Sequence, residues 1–317
     1  MQPTPAVFGK WNLEMPIYNG AGTVKNTEEV RAMAESPACA VTGGSYTFKK
    51  RDGNPGQPLW IWPGGSINSL GIPNGGYEYC GKEMPTMVQI CHDNSKAFIA
   101  SVQGDNAKEF GCMAGVAMES GADFAELNLA CPNIWTDGSQ KGIFGFYPEL
   151  IEEILSWVTQ YVGSQKRIFL KVPPYSNPRQ LSEIGQLILS RYQHMIAAIV
   201  GPNTFPNSFV VIRDKGKAPR PAIGFGKGFG GFAGKEYHPE ALGQALQWTD
   251  VLDGSDVQLI GMGGIHNGET AADFFQFTKA AAVQVVTALF REHKVHPQTF
   301  HRIIDELLDV PELPGRT

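Results

Sequence analysis

Short apolar segments alternate with amphipathic helical segments over the last two thirds of the chain, and this alternation restricts the fold more than any other feature. The apolar segments span residues 96–102, 125–129, 167–172, 196–200, 257–260 and 282–286, and the helical ones span 106–120, 148–161, 178–191, 238–250, 269–279 and 297–308. Strands separated by helices of this length form βαβ units around a parallel sheet. Two earlier segments, 15–18 and 39–41, bring the number of strands close to eight. We therefore predict an α/β fold of the (β/α)8 type, with an open doubly wound sheet as the alternative.

Two long segments, residues 43–79 and 203–234, show no helical spacing and do not belong to a minimal barrel. Insertions of this length after barrel strands usually build the rim of an active site. The sequence contains no internal repeat and no linker-like boundary. We therefore expect residues 1–317 to form one barrel domain with long loops at its carboxyl-terminal mouth.

The charge and cysteine content exclude several classes of protein. The 26 basic and 31 acidic residues give a net charge of −5, so no nucleic-acid or anionic-membrane footprint is predicted. The five cysteines include no C-x-x-C pair, and no His, Asp or Glu cluster has metal-ligand spacing, so we expect no disulfide framework and no metal. The sequence also lacks a secretory signal and an apolar run of membrane-spanning length. These features together predict a cytoplasmic protein.

Polar and small residues gather where the predicted strands end. The segment NGAG (19–22) follows the first strand, and further groups follow the later ones: Asn128, Cys131 and Asn133; Lys171; Asn203 and Thr204; Gly263 and Gly264; Thr287. Each of these alone could be a turn residue. In a barrel, however, the carboxyl ends of all strands meet at the face that carries catalysis, so together they predict a site at the mouth.

The late glycines predict a phosphate site. Phosphate groups often bind the loops after strands 7 and 8 of such barrels, where glycines let backbone N–H groups approach the anion. GMGG (261–264) and VTA (286–288) fall at those places, and GFGG (228–231) could supply a third wall. Because no Walker A or Rossmann fingerprint follows the first strand, a dinucleotide site is disfavoured. A phosphate-bearing cofactor such as FMN is compatible with this pattern.

Cys131 has two possible interpretations. A lone cysteine is more often a small buried apolar residue than a catalyst. Here it stands between Ala130 and Pro132 at a strand end, with asparagines on either side. That context favours proton transfer, and we expect a thiol at the mouth to titrate near pH 7–8.

Six longer motifs resemble the class 1A dihydroorotate dehydrogenases, the FMN enzymes of pyrimidine biosynthesis that use fumarate as acceptor. The matching runs are KRDGNP (50–55), GSINSLGIPN (65–74), ELNLACPN (126–133), KVPPY (171–175), GFGG (228–231) and GMGGI (261–265). The resemblance covers nearly the whole chain. It implies a cytosolic homodimer of (β/α)8 barrels with FMN at the mouth and dihydroorotate as the small-molecule substrate.

The resemblance also implies roles for individual residues. Cys131 would be the general base that removes a proton from C5 of dihydroorotate, and Lys171 would stabilise the reduced flavin. The side chains of Asn68, Asn128, Asn133, Asn203 and Thr204 and the backbone N–H groups of Leu70, Gly71 and Ile72 would bind the substrate. The residues that would hold FMN are Ala21, Gly22, Gly44, Ser45, Asn128, Lys171, Gly230, Gly231, Gly263, Gly264 and Thr287.

Three departures from the family pattern keep other functions open. Gly44 stands where the family has a lysine that touches both flavin and substrate, residues 134–147 replace a short loop that closes over the substrate, and Val286 replaces a phosphate-side glycine. A paralogous FMN oxidoreductase or ene-reductase that acts on another cyclic amide or enone is therefore the main alternative. A flavin-binding protein without catalysis is a further alternative, which the retained base and asparagines disfavour.

Overall fold

The computed structural model describes residues 1–136 and 139–313, and its centre is a sheet of eight parallel strands. These are β1 (Ile17–Asn19), β2 (Ala40–Thr47), β3 (Ala97–Gln103), β4 (Phe124–Asn128), β5 (Ile168–Lys171), β6 (Ile196–Gly201), β7 (Gln258–Met262) and β8 (Ala280–Val285). The strand order is β1-β8-β7-β6-β5-β4-β3-β2, and every neighbouring pair is parallel. The first strand pairs with the last, as a barrel requires, which confirms the predicted (β/α)8 fold and excludes the open sheet.

The side chain of Asn19 bridges the two ends of this sheet. Its Nδ2 donates to Thr42 O (2.7 Å) and its Oδ1 accepts from Thr42 N (3.0 Å), so one amide joins β1 to β2 where they share no ladder. Asn19 Nδ2 also donates to Thr23 Oγ1 (2.8 Å). The backbone of Cys39 adds a bond to Ile17 O (3.0 Å). The barrel is therefore closed between β1 and β2 by a buried side chain.

One helix follows each strand and covers the sheet. The helices are α1 (Thr27–Ala34), α2 (Gly76–Asp93), α3 (Ala107–Glu119), α4 (Pro148–Val162), α5 (Pro178–Arg191), α6 (His238–Val251), α7 (Gly268–Phe277) and α8 (Thr299–Asp309). Asparagine side chains cap α1, α3, α5 and α7, and Pro148 and Pro178 occupy first turns, where a missing N–H costs nothing. No helix of the described residues is long and apolar enough to cross a membrane.

Strands outside the central sheet build structure at the two ends of the barrel. Strand Leu59–Trp62 pairs with Gly65–Asn68, which pairs with Phe229–Ala233, and that strand pairs with Phe205–Phe209. We call these four strands the mouth sheet. At the opposite end, the hairpin Ala6–Phe8 and Trp11–Leu13 places Phe8 against Phe169 and Phe124. The barrel is therefore closed at its amino end by packed aromatic rings.

The prediction that residues 43–79 contain no helix was wrong at its carboxyl end. Helix α2 begins at Gly76, whose φ of +81° and close approach to the backbone of Lys50 require glycine. Two features conceal this helix in the sequence: glycines at 76 and 81, and Pro85 inside it. Strand β2 likewise continues to Thr47, beyond the predicted 39–41.

Candidate active site

A cavity opens at the carboxyl ends of the barrel strands, under the mouth sheet. Most of the residues predicted from sequence line it: Ala21, Gly22, Ser45, Asn68, Leu70, Gly71, Ile72, Asn128, Cys131, Asn133, Lys171, Asn203, Thr204, Gly263, Gly264 and Thr287. The mouth of the barrel therefore brings these residues to one cavity.

Three predicted residues, Gly44, Gly230 and Gly231, do not line the cavity. Gly44 has φ +105° within β2, and a Cβ there would collide with the carbonyl oxygen of Ser101. A Cβ at Gly230 would lie 2.6 Å from Asn68 O, and one at Gly231 would collide with the Thr204 hydroxyl. These glycines permit close packing of backbone, and their contact with a cofactor stays a prediction.

The four asparagines form two hydrogen-bonded pairs on the cavity wall. Asn133 Nδ2 donates to Asn68 O (3.0 Å) and to Asn68 Oδ1 (3.1 Å). Asn203 Nδ2 lies 3.4 Å from Asn128 Oδ1, and Asn128 Nδ2 donates to Ser45 Oγ (2.9 Å). Because each amide has two N–H groups and two lone pairs, these bonds leave donors and acceptors for a ligand. The wall is suited to recognise a flat amide or imide ring.

Lys171 and Glu126 form a charged pair inside the barrel. Lys171 Nζ lies 3.4 Å from Glu126 Oε1 and donates to Gln284 Oε1 (3.2 Å), and Gln284 Nε2 donates to Glu126 Oε2 (2.7 Å). Lys171 still lines the cavity and has unused N–H donors, because an ammonium can donate three hydrogen bonds. It can therefore donate to an acceptor bound in the cavity.

The Cys131 thiol differs from the sequence expectation in its acidity. Removal from water raises its pKa to about 11, while a backbone N–H of Asn133 and the cations Arg51 and Lys25 act in the opposite direction. The expected titration near pH 7–8 was therefore wrong. The free site holds Cys131 as a thiol at neutral pH.

The loops that follow β7 and β8 offer backbone donors to the cavity. The N–H groups of Gly263, Gly264 and Thr287 donate no hydrogen bond within the described chain. Gly263 and Gly264 have φ values of +115° and +72°, and a Cβ on either would lie against α6, so packing also requires glycine there. Unpaired N–H groups at the carboxyl ends of β7 and β8 are suited to bind a phosphate.

A third group of free N–H donors lies in the loop before α2. The N–H groups of Leu70, Gly71 and Ile72 make no hydrogen bond within the described residues, and Gly71 and Ile72 both have left-handed φ, +72° and +56°. The Asn54 side chain holds this loop by donating to Ser69 O (2.9 Å), and Asn54 N donates to Leu70 O (3.0 Å). Successive free N–H groups in such a loop form an anion-binding concavity.

Residues 134–136 and 139–147 contact loops that follow other strands of the barrel. Trp135 contacts Phe225 edge-on, Gln140 Nε2 donates to Asn207 Oδ1 (2.9 Å), and Lys141 Nζ donates to Asp105 Oδ1 (3.2 Å). Asp137 and Gly138 of this predicted loop lie outside the described residues. The described part of this segment is tied to the loops that follow β3 and β6.

Several lining residues were missed by sequence reasoning. Lys25 lies in the loop after β1, Gln284 lies inside β8, and Tyr237 donates from its hydroxyl to Asn203 O (3.0 Å). Glu126 and Gln284 could have been identified from the sequence, because a polar residue inside an otherwise apolar buried strand needs a hydrogen-bond partner. No sequence pattern identifies Lys25 as a cavity residue, since a lysine just before a helix is usually on the surface.

The barrel and its mouth cavity define an enzyme of the (β/α)8 class. The sequence profile of the family described as dihydroorotate dehydrogenase matches residues 6–310. The chain belongs to this family, whose members are oxidoreductases that act on CH–CH groups, and the resemblance seen in the sequence is confirmed.

Individual relatives agree over nearly their whole length. Dihydroorotate dehydrogenase (fumarate) of Trypanosoma cruzi is 32% identical over 95% of this chain and 90% of its own. Dihydroorotate dehydrogenase A (fumarate) of Lactococcus lactis is 29% identical over 97% and 94%. The solved structure of Eimeria tenella dihydroorotate dehydrogenase in complex with ferulenol superposes with a TM-score of 0.73 at 17% identity, covering 96% of this chain and 83% of that one, which supports the shared fold.

Proposed function

We propose that this enzyme oxidises dihydroorotate to orotate, with FMN as its cofactor and fumarate as the soluble acceptor. The single observation that carries the proposal is that Cys131, the paired asparagines and Lys171 line one cavity at the barrel mouth. The names of the fumarate-type relatives support the choice of substrate and acceptor.

The cavity residues fit FMN. The free N–H groups of Gly263, Gly264 and Thr287 would hold its phosphate, and Ala21, Gly22, Ser45, Asn128 and Lys171 would contact the rest of the molecule. Lys171 adds a buried cation with unused donors, which favours negative charge on a bound ring system. Bound there, FMN would accept the hydride that leaves C6 of the substrate.

The remaining chemistry belongs to the side chains of this chain. Asn68, Asn133 and Asn203 orient the pyrimidine ring through its amide edges, and Thr204 adds a hydroxyl beside them. Cys131, as thiolate, removes the proton from C5. The free site raises the pKa of Cys131 to about 11, and the nearby cations Arg51 and Lys25 act to lower it and so favour deprotonation.

Anaerobic stopped-flow mixing of the flavin-loaded protein with dihydroorotate tests the function. We expect the flavin absorbance to bleach within the time of a turnover and to return when fumarate is added. Cys131→Ser should retain the flavin and lose most of the bleaching rate, because a hydroxyl is far harder to deprotonate than a thiol. A flavin that stays oxidised in the wild-type protein would contradict the proposal.

A second candidate function is the oxidation or reduction of another cyclic amide or enone. Two observations favour it: Gly44 leaves no room for a side chain in β2, and Trp135, Gln140 and Lys141 tie their segment to the loops after β6 and β3. Screening flavin reoxidation with cyclic enones after chemical reduction distinguishes the two candidates. We further propose, from the family resemblance, a cytoplasmic homodimer, which light scattering and fractionation would test.

A further inference from the structure

Lys25 is the cation of the cavity that has no acidic partner. The charged residues among its described walls are Lys25 and Lys171, and Lys171 is paired with Glu126. Within the described chain no carboxylate oxygen lies within 4.0 Å of Lys25 Nζ, which instead donates to Pro73 O at 2.6 Å. Glu29 approaches the same residue, but its carboxylate accepts from the backbone N–H of Lys25. The cavity therefore contains an uncompensated positive charge.

The contact with Pro73 places this charge beside the loop with free N–H groups. Pro73 directly follows Leu70, Gly71 and Ile72, whose N–H groups are unpaired within the described residues. All three residues line the same cavity as Lys25. One ammonium and three backbone donors thus lie together, and no acidic residue appears among the described residues of the cavity walls.

We propose that Lys25 binds the carboxylate of the substrate and selects anionic rings over neutral ones. The identity of the ring, dihydroorotate, rests on the proposed function, whereas the preference for an anion rests on Lys25 and the neighbouring loop. A charge-assisted hydrogen bond from a partly buried ammonium is about twice as strong as a neutral one. Removing the Lys25 ammonium should therefore weaken the binding of anionic rings and leave the binding of neutral rings nearly unchanged. Lys25 is a specificity residue that touches substrate, distinct from the base Cys131.

The test is calorimetric titration of the flavin-loaded protein with orotate and with uracil, which is the same ring without the carboxylate. Lys25→Met should weaken orotate binding about 10- to 100-fold and change uracil binding by less than about 3-fold. Lys25→Arg, which keeps the charge, should recover part of the orotate affinity. Lys82→Met removes a lysine that is 82% exposed on α2 and serves as the matched control, with no expected change.

Three results would overturn the assignment: an orotate affinity that Lys25→Met leaves unchanged, equal weakening of orotate and uracil, or loss of flavin from the Met variant. Flavin content is read from the absorbance spectrum, and thermal unfolding of each variant confirms folding.

The two proposals fail separately. If the wild-type protein turns over dihydroorotate and Lys25→Met binds orotate normally, the proposed function stands and Lys25 has no such role. If the wild-type protein neither binds orotate nor reacts with dihydroorotate, the proposed function fails, and titration with fumarate and benzoate decides the role of Lys25. Binding of either carboxylate that depends on Lys25 supports it, and binding that is absent or independent of Lys25 overturns it.

Discussion

The ammonium of Lys171 lies 3.4 Å from the carboxylate of Glu126, and the two side chains are 2% and 0% exposed. A charged pair so completely enclosed is costly to break, because either partner alone would remain as a buried, uncompensated charge. Gln284 accepts a hydrogen bond from Lys171 and donates one to Glu126, so its amide bridges both charges. The pair thus keeps a cation in the barrel interior while leaving it donors for the cavity.

We predict that Glu126→Gln and Lys171→Met each lower the free energy of unfolding by about 3–5 kcal/mol. The double variant should lose less than the sum of the two, since both charges are then gone. Denaturant unfolding of the four proteins measures the coupling. Strictly additive losses would show that the two charges do not stabilise each other.

The proposed removal of a proton by Cys131 predicts a steep pH dependence of the reaction rate. The pKa of its thiol is about 11. Below that pH, the fraction of Cys131 present as the reactive thiolate rises about tenfold for each unit by which the pH increases. The rate of flavin reduction at saturating dihydroorotate should therefore rise from pH 7 to 9, as measured by stopped flow. A flat profile in that range would indicate another base.

The affinity for the anionic substrate should change in the opposite sense. Burial lowers the pKa of Lys25 to about 8, while the charges of Cys131 and Glu29 act to raise it. Lys25 therefore loses its charge as the pH rises through about 8, and KM for dihydroorotate should increase above that pH. Lys25→Arg keeps its charge there and should abolish this increase, which a pH series of initial rates would show.

We predict that substitution of Gly44 by any larger residue lowers the stability of the protein. Its φ of +105° disfavours L side chains, and a Cβ would meet the Ser101 carbonyl. Gly44→Ala should cost more than about 2 kcal/mol in unfolding free energy, and Gly44→Lys should not improve dihydroorotate turnover.

Gly81→Ala is the matched control for Gly44. Gly81 lies inside α2 with no atom near its absent Cβ, so alanine there should stabilise the protein by about 0.5–1 kcal/mol. If Gly44→Ala were as well tolerated as Gly81→Ala, the close packing described for β2 would be wrong.

The sequence predicted a residue's position in the cavity correctly where that residue lies at the carboxyl end of a strand. Asn128, Cys131, Lys171, Asn203 and the late glycines each come directly after an apolar run, so the barrel geometry alone brings them to one cavity. The limits of β5 and α5 were predicted almost to the residue for the same reason.

Other features depend on contacts that no local pattern records. Lys25 reaches the cavity because of its contact with Pro73, which is 48 residues away. The acidity of Cys131 is set by how much water the folded loops exclude, and Gly230 and Gly231 serve strand packing that only the mouth sheet creates. Such features come from tertiary packing, so single-sequence patterns miss them.

The mouth sheet has a consequence for the order in which the protein assembles during synthesis. The strand Gly65–Asn68 pairs with Phe229–Ala233, whose first residue is made more than 160 residues later. Such distant pairings form slowly, because the chain must lose the entropy of closing a long loop before any stabilising hydrogen bond forms. Most of the chain must therefore leave the ribosome before the walls of the cavity can form. A ligand can bind in the cavity only when synthesis of the chain is nearly complete.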